Sequence, residues 1–165
     1  MLTLQALPRV PDPRILKILL VEDDFDDEQL LGEAFIEIQE KRQWYNWRTA
    51  NIVQVEQLAD AVDCLRRDKF DAVLLNLSLP DSPTLLASFL DVRANAGGVP
   101  IVVLADEADE NLANRLLREG AQDVLVKPEL ECAPLARSIR YAVERQRRAW
   151  AMQPRVQAKT AMLAD

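Results

Sequence analysis

Asp71-Ala72-Val73-Leu74-Leu75-Asn76-Leu77-Ser78-Leu79-Pro80-Asp81 is the stretch that decides the fold. A short, continuous apolar run bounded by turn residues is the pattern of a strand covered on both faces, as strands of a parallel sheet are. Here the run reaches an amide and then breaks into a polar, proline-containing loop. In open α/β sheets function gathers at the C-terminal ends of strands. Asn76 therefore stands where chemistry is expected.

Working outward, Ile15-Leu16-Lys17-Ile18-Leu19-Leu20-Val21 is a second such run, followed by Glu22-Asp23-Asp24. Asp26 or Asp27 is expected to cap a helix carrying Leu30, Leu31, Ala34, Phe35 and Ile38 at helical spacing. Residues 44–48 read as a loop or strand entry and 50–55 as a weaker strand. Leu58, Ala61, Val62 and Leu65 give the next helix its apolar face. Beyond Asp81, Ser82-Pro83 is expected to open a helix through Leu85, Leu86, Phe89, Leu90 and Val92, with proline in its first turn. Gly97-Gly98 ends that unit. A fourth strand follows at 99–104, a helix at 109–119 stopped by Gly120, a fifth strand at 123–126 and then Lys127-Pro128. The last helix is expected from about 134 to 150.

Five strands alternating with five helices through short loops imply right-handed crossovers and a parallel sheet. The expected fold is α/β: a flavodoxin-like, doubly wound, five-stranded parallel sheet, (βα)5, with strand order 2-1-3-4-5. Residues 1–14, with Pro8, Pro11 and Pro13, are expected to be an irregular lead-in. Residues 15–150 form the domain, and 151–165 a tail or linker in which Pro154 breaks the helix.

The chain has 165 residues, 49% apolar and 28% charged, enough for one domain with a proper core. No apolar run approaches the roughly 20 residues of a membrane span, and the first residues lack the pattern of a signal peptide. Cys64 and Cys132 make no disulfide framework or zinc pattern, and Cys64 falls on an apolar helix face. A cytoplasmic protein with no membrane contact is expected. The net charge of −7 argues against nucleic-acid binding by this domain. There is no histidine, which excludes histidine acid/base chemistry, histidine metal ligation and a phosphohistidine on this chain.

The C-terminal ends of strands one, three, four and five border one crevice in this fold. They bring Glu22 and Asp23, Asn76, Ala105 and Lys127 there. Taken singly, polar residues cap strands everywhere and a lysine merely neutralises acids. Taken in this order, they resemble a known family. Leu19-Leu20-Val21-Glu22-Asp23-Asp24, the run 71–81, Pro100-Ile101-Val102-Val103-Leu104-Ala105 and Gly120-Ala121-Gln122-Asp123-Val124-Leu125-Val126-Lys127-Pro128 resemble the receiver domain of two-component response regulators, over roughly residues 15–148.

The resemblance implies that Glu22 and Asp23 match an acidic pair that holds Mg²⁺, and that Asn76 stands at the aspartate that accepts phosphate from a histidine kinase. It implies that Lys127 contacts the acceptor, and that Pro128 follows a cis peptide bond. Three positions depart from the pattern. Asn76 is no nucleophile toward phosphorus, Ala105 lacks the hydroxyl that reads the phosphate, and Val124 replaces the aromatic switch residue. Together they point to a receiver that works without phosphorylation, a pseudo-receiver, rather than to an enzyme. The alternative is an ordinary phosphotransfer regulator with an engineered aspartate-to-asparagine change at Asn76. No cofactor is expected. Mg²⁺ at Glu22 and Asp23 should bind weakly, since the neutral amide removes one charge from the ligand set.

Lys127 is expected to pair with Glu22 or Asp23. Asp24, Ser78 and Asp81 could substitute as acceptors, although capping and loop solvation account for them better. The Glu-Asp-Asp after strand one would repel the phosphate of a flavin unless a metal intervened, which makes an unrelated flavodoxin-like enzyme the weaker reading. Expected partners are proteins: a histidine kinase, an output domain, or a second copy through the helix 4, strand 5 and helix 5 face. Arg137, Arg140, Arg145, Arg147 and Arg148, opposed by Glu144, make the last helix either a partner-binding face or a solvated one. Trp44, Tyr45 and Trp47 cluster ahead of strand two, with at least one expected to be partly buried.

Overall fold

The structure is a computed structural model and describes residues 15–164, with side chains through Met152. The expected lead-in, 1–14, lies outside the described residues. Five strands and five helices alternate: β1 (Leu16–Val21), α1 (Phe25–Glu40), β2 (Ala50–Val55), α2 (Leu58–Arg67), β3 (Ala72–Asn76), α3 (Leu85–Ala96), β4 (Ile101–Ala105), α4 (Glu110–Arg118), β5 (Asp123–Val126) and α5 (Cys132–Ala164). A 3₁₀ turn at Lys127–Glu129 joins β5 to α5. The sheet order is β2-β1-β3-β4-β5 with every pair parallel, the flavodoxin-like topology expected.

The alternation of strand side chains splits the core in two. Leu19, Val21, Val73, Leu75 and Val103 pack with Leu58, Ala61, Cys64, Phe89, Val92 and Leu116. Leu16, Ile18, Leu20, Leu74, Val102 and Leu104 face Leu31, Phe35 and Ile38 of α1 and Leu135, Ile139 and Val143 of α5. All of β3 is buried, so both faces of its apolar run are used. β2, on the sheet edge, is only half buried, which is why its sequence pattern is weaker. Cys64 is a buried core residue with a free thiol.

Several local expectations are corrected. The cap of α1 is Asp24, whose side chain accepts from Asp27 N, while Asp26 and Asp27 sit in the first turn and favour the helix N-terminus by charge. Thr84, accepting from Ala87 N, caps α3, so Ser82 and Pro83 precede the helix instead of opening it. Gly97 ends α3 in the left-handed region at φ 59°, which suits a residue without a Cβ. The described residues contain no cis peptide bond; Pro128 occupies the first turn of the 3₁₀ segment, where its fixed φ fits and its missing N–H is not needed. α5 runs through Pro154 to Ala164 rather than breaking there. A proline in a helix interior removes one hydrogen bond and crowds the preceding turn, at about 3 kcal/mol, yet the helix continues past it.

Candidate functional site

β1, β3, β4 and β5 end together, and the loops beyond them build one acidic pocket. Glu22 leaves β1 directly, and its carboxylate is fully buried at 0% exposure. Asn76 is the last residue of β3 and is also buried. Its Nδ2 donates to Glu22 Oε1 at 2.9 Å, to Asp23 Oδ1 at 3.2 Å and to Ser78 O at 3.3 Å, while Oδ1 accepts from Ser78 N at 3.3 Å. The amide thus presents its N–H groups to the acids and its oxygen to the loop. Where an aspartate would repel Glu22 and Asp23, the carboxamide binds both.

Lys127 is buried at the end of β5 and its ammonium is shared three ways. Nζ lies 2.8 Å from Asp27 Oδ2, 3.0 Å from Asp106 Oδ1 and 3.2 Å from Glu22 Oε2. The Glu22 contact is an ion pair whose alignment falls short of a hydrogen bond. Burial acts to lower the lysine pKa, but hydrogen bonds to Asp27 and Asp106 and the Glu22 charge outweigh it, so the ammonium is held charged. Burial raises the Glu22 pKa, with Lys127 opposing it. Asp106 is held below its ordinary value, chiefly by the lysine.

The sequence placed Glu22, Asp23, Asn76 and Lys127 together, and the structure joins them. It pairs Lys127 with Glu22 and not with Asp23. Asp27 and Asp106 were missed as lysine partners. The available signals were that Asp27 follows Asp23 by four residues, in the first turn of α1, and that Asp106 directly follows Ala105. Ala105 offers no hydroxyl, but Ser78 Oγ reaches across from the β3–α3 loop and donates to Asp106 Oδ2 at 2.9 Å. Val124 is half buried on β5 and packs against the α2, α3 and α4 side of the core. Asp24 and Asp81 are caps, as their bland reading had it: Asp81 accepts from Leu58 N at 2.8 Å and Ala59 N at 3.0 Å at the start of α2.

As arranged, this donor set does not fit Mg²⁺. The facing oxygens of Glu22 and Asp23 already accept from an N–H group, and an ammonium holds the second Glu22 oxygen. A hard cation would need the Asn76 amide turned over so that its oxygen faced in.

Residues 18–136 match the response regulator receiver domain family. The chain belongs to that family. It is 37% identical over 114 residues to the swarming motility regulation protein RssB of Serratia marcescens, covering 68% of this chain and 47% of that protein. It is 31% identical over 112 residues to the transcriptional regulatory protein KdpE of Staphylococcus aureus, covering 68% of this chain and 43% of that protein. The chain therefore spans less than half the length of these curated relatives. Among solved structures, the signal receiver domain of a putative LuxO repressor from Vibrio parahaemolyticus superposes with a TM-score of 0.69 at 23% identity, over 83% of this chain and 96% of that one. The receiver domain of a sensor histidine kinase from Pseudomonas aeruginosa, which holds a magnesium ion in its active site cleft, gives a TM-score of 0.63 at 24% identity over 78% and 98% of the two chains. These likenesses concern the fold. No helix among the described residues is long and apolar enough to cross a membrane.

Proposed function

We propose that this receiver domain acts in signal transduction without aspartate phosphorylation, through contacts with other proteins, and is not an enzyme. The observation that carries the reading is the Asn76 amide hydrogen-bonded to both Glu22 and Asp23. An acyl phosphate needs an anionic carboxylate oxygen as nucleophile, and the amide supplies none. The rest of the pocket is consistent with this. Lys127 is engaged by three carboxylates, and the Ser78–Asp106 bond ties the β3–α3 loop to the β4–α4 loop with no phosphoryl group between them. Mg²⁺ binds weakly at most, and no other cofactor is used.

The partner is a protein: a histidine kinase, an output domain, or a second copy meeting it across α4, β5 and α5. The domain itself does not bind nucleic acid. Incubation with acetyl phosphate, or with beryllofluoride, in the presence of Mg²⁺ tests the reading. Intact mass, amide spectra and sedimentation should all stay unchanged. A stable gain of one phosphoryl group, or saturable beryllofluoride binding, would overturn it. The alternative, an ordinary receiver inactivated at one position, is separated by Asn76→Asp. Labelling accompanied by a spectral switch would favour that alternative, whereas labelling without a switch would leave Ala105 and Val124 as the natural block.

A further inference from the structure

The end of the sheet opposite the acidic pocket carries a groove that α5 only half covers. α5 packs on the α1 side of the core through Leu135, Ile139 and Val143. Gln146 and Trp150 continue that seam at helical spacing and reach the other layer. A Cβ on Gly98, in the α3–β4 turn, would stand 3.4 Å from Gln146 Nε2 and 4.0 Å from Trp150 Nε1. Trp150 is thereby one wall of a cavity of about 430 Å³, whose other walls are the end of α2, the entry to β3 and that turn.

The accessible lining is apolar on its sides and charged at its rim. Trp150 is 42% exposed, and Leu65 and Val99 are half-buried, so a molecule in the groove meets all three. Phe70 and Ala96, nearly buried, form the floor. Exposed Asp68 and Lys69 stand at the rim. Asp68 is compensated by Lys17, whose Nζ lies 3.7 Å away. Asn95 has its amide engaged by Arg66 and by Asp91 O. Lys69 makes no ion pair among the described residues, which leaves a positive charge beside an apolar slot. Small-molecule sites have this size and this make-up, mostly apolar with a few polar groups that fix orientation.

We infer that this groove binds a small aromatic carboxylate, its ring against Trp150 and its acid group toward Lys69. The ring follows from Trp150, since aromatic pairs add to the area they bury. The acid follows from the charges at the rim: an anionic head meets Lys69, whereas a cationic head would meet an aspartate that already has its lysine. The site stands apart from the Asn76 pocket. From Phe70 to Asn76, along β3, the chain runs roughly 20 Å at about 3.3 Å per residue.

The test is a titration of the intact protein with phenylbutyrate and, separately, with phenylbutanol and phenylbutylamine, followed by ¹⁵N spectra of the three tryptophan indoles. With phenylbutyrate the Trp150 resonance should move saturably, with a dissociation constant of about 1 mM or tighter, while exposed Trp44 and buried Trp47 stay fixed. The alcohol should bind more weakly and the amine more weakly still. Lys69→Ala should weaken phenylbutyrate about threefold, the scale of an exposed ion pair, and leave the alcohol unchanged. Val99→Phe fills the slot and should abolish binding. Trp150→Ala removes the wall, and calorimetry on it should show a loss of about tenfold. No saturable shift at Trp150, or equal affinity for acid, alcohol and amine, would overturn the inference. So would undiminished affinity in a folded Val99→Phe protein or, should that variant not fold, in Trp150→Ala. A Trp150 resonance that moves with protein concentration alone would place a second copy in the groove and overturn it as well.

Discussion

The two ends of the sheet treat their polar groups in opposite ways. At the C-terminal end, buried Asn76 and Lys127 engage buried Glu22 and the more exposed Asp23, Asp27 and Asp106. At the N-terminal end, Trp47 and Arg140 carry buried donors with no acceptor. The first region is not fully hydrogen-bonded either, since Glu22 Oε2 lacks a partner of that kind, but the Lys127 ammonium compensates its charge at 3.2 Å. What separates the two ends is charge compensation: a buried charge is tolerated where an opposite one stands beside it, whereas a buried donor without an acceptor keeps its desolvation cost.

The sharpest way to break this contrast is Lys127→Ala. It leaves fully buried Glu22 beside Asp27 and Asp106 without a counter-ion, and removing one member of a buried charge cluster costs about 3–5 kcal/mol. Urea unfolding should show a loss of that size. A change below about 1 kcal/mol, the range of an exposed pair, would mean the cluster is screened by solvent.

Asn76→Asp comes next. It removes the donor shared by Glu22 and Asp23 and adds a further negative charge. A loss of about 1–3 kcal/mol is expected, substantially recovered when Mg²⁺ is added. Thermal melts with and without the ion would check it, and a variant as stable as the parent without Mg²⁺ would contradict the packing described for the amide.

Asp81→Ala should cost about 1 kcal/mol, the usual size of a lost helix cap, with hydrogen exchange rising first in the opening turn of α2. Unaltered exchange at Leu58 and Ala59 would count against the cap.

The smallest effect is in pH. Burial opposes ionisation of Asp81, but bonds from Leu58 N and Ala59 N hold its pKa below the ordinary 3.8. Asp106 is lowered too, chiefly by its hydrogen bond to Lys127. For a carboxylate lowered in the folded state, the stabilisation is complete above the unfolded value and is lost as pH falls through the folded one. Glu22 acts with the opposite sign. Burial raises its pKa above 4.5, so its charged form opposes folding, and that penalty is relieved as pH falls through its folded value. Asp81→Asn should therefore flatten the acid limb of the stability curve below about pH 4. An unchanged limb would remove Asp81 from the acid transition.

The fold was legible because β1 and β3 are apolar on both faces, which only a sheet covered on both sides explains. The acidic pocket was half legible. Glu22, Asn76 and Lys127 sit at strand ends, where register fixes their meeting. Asp27 and Asp106 arrive from a helix turn and a loop, and only three-dimensional placement shows that they reach the same ammonium. Pro154 misled because a single proline in a helix otherwise made of good formers does not end it. The Trp47 donor left no signal in sequence, since whether a buried N–H has a partner depends on every atom around it.

Asp81 has one more consequence. Gln57, at the cap position of α2, makes no side-chain cap bond of its own, and the first turn is closed instead by a carboxylate more than twenty residues further along the chain. The helix therefore cannot finish its N-terminus until β3 has paired and the loop after it has been set down. The start of α2 and the β3–α3 loop are therefore coupled through one carboxylate. Substitutions at Asp81 should accelerate unfolding while leaving the rate of folding nearly untouched.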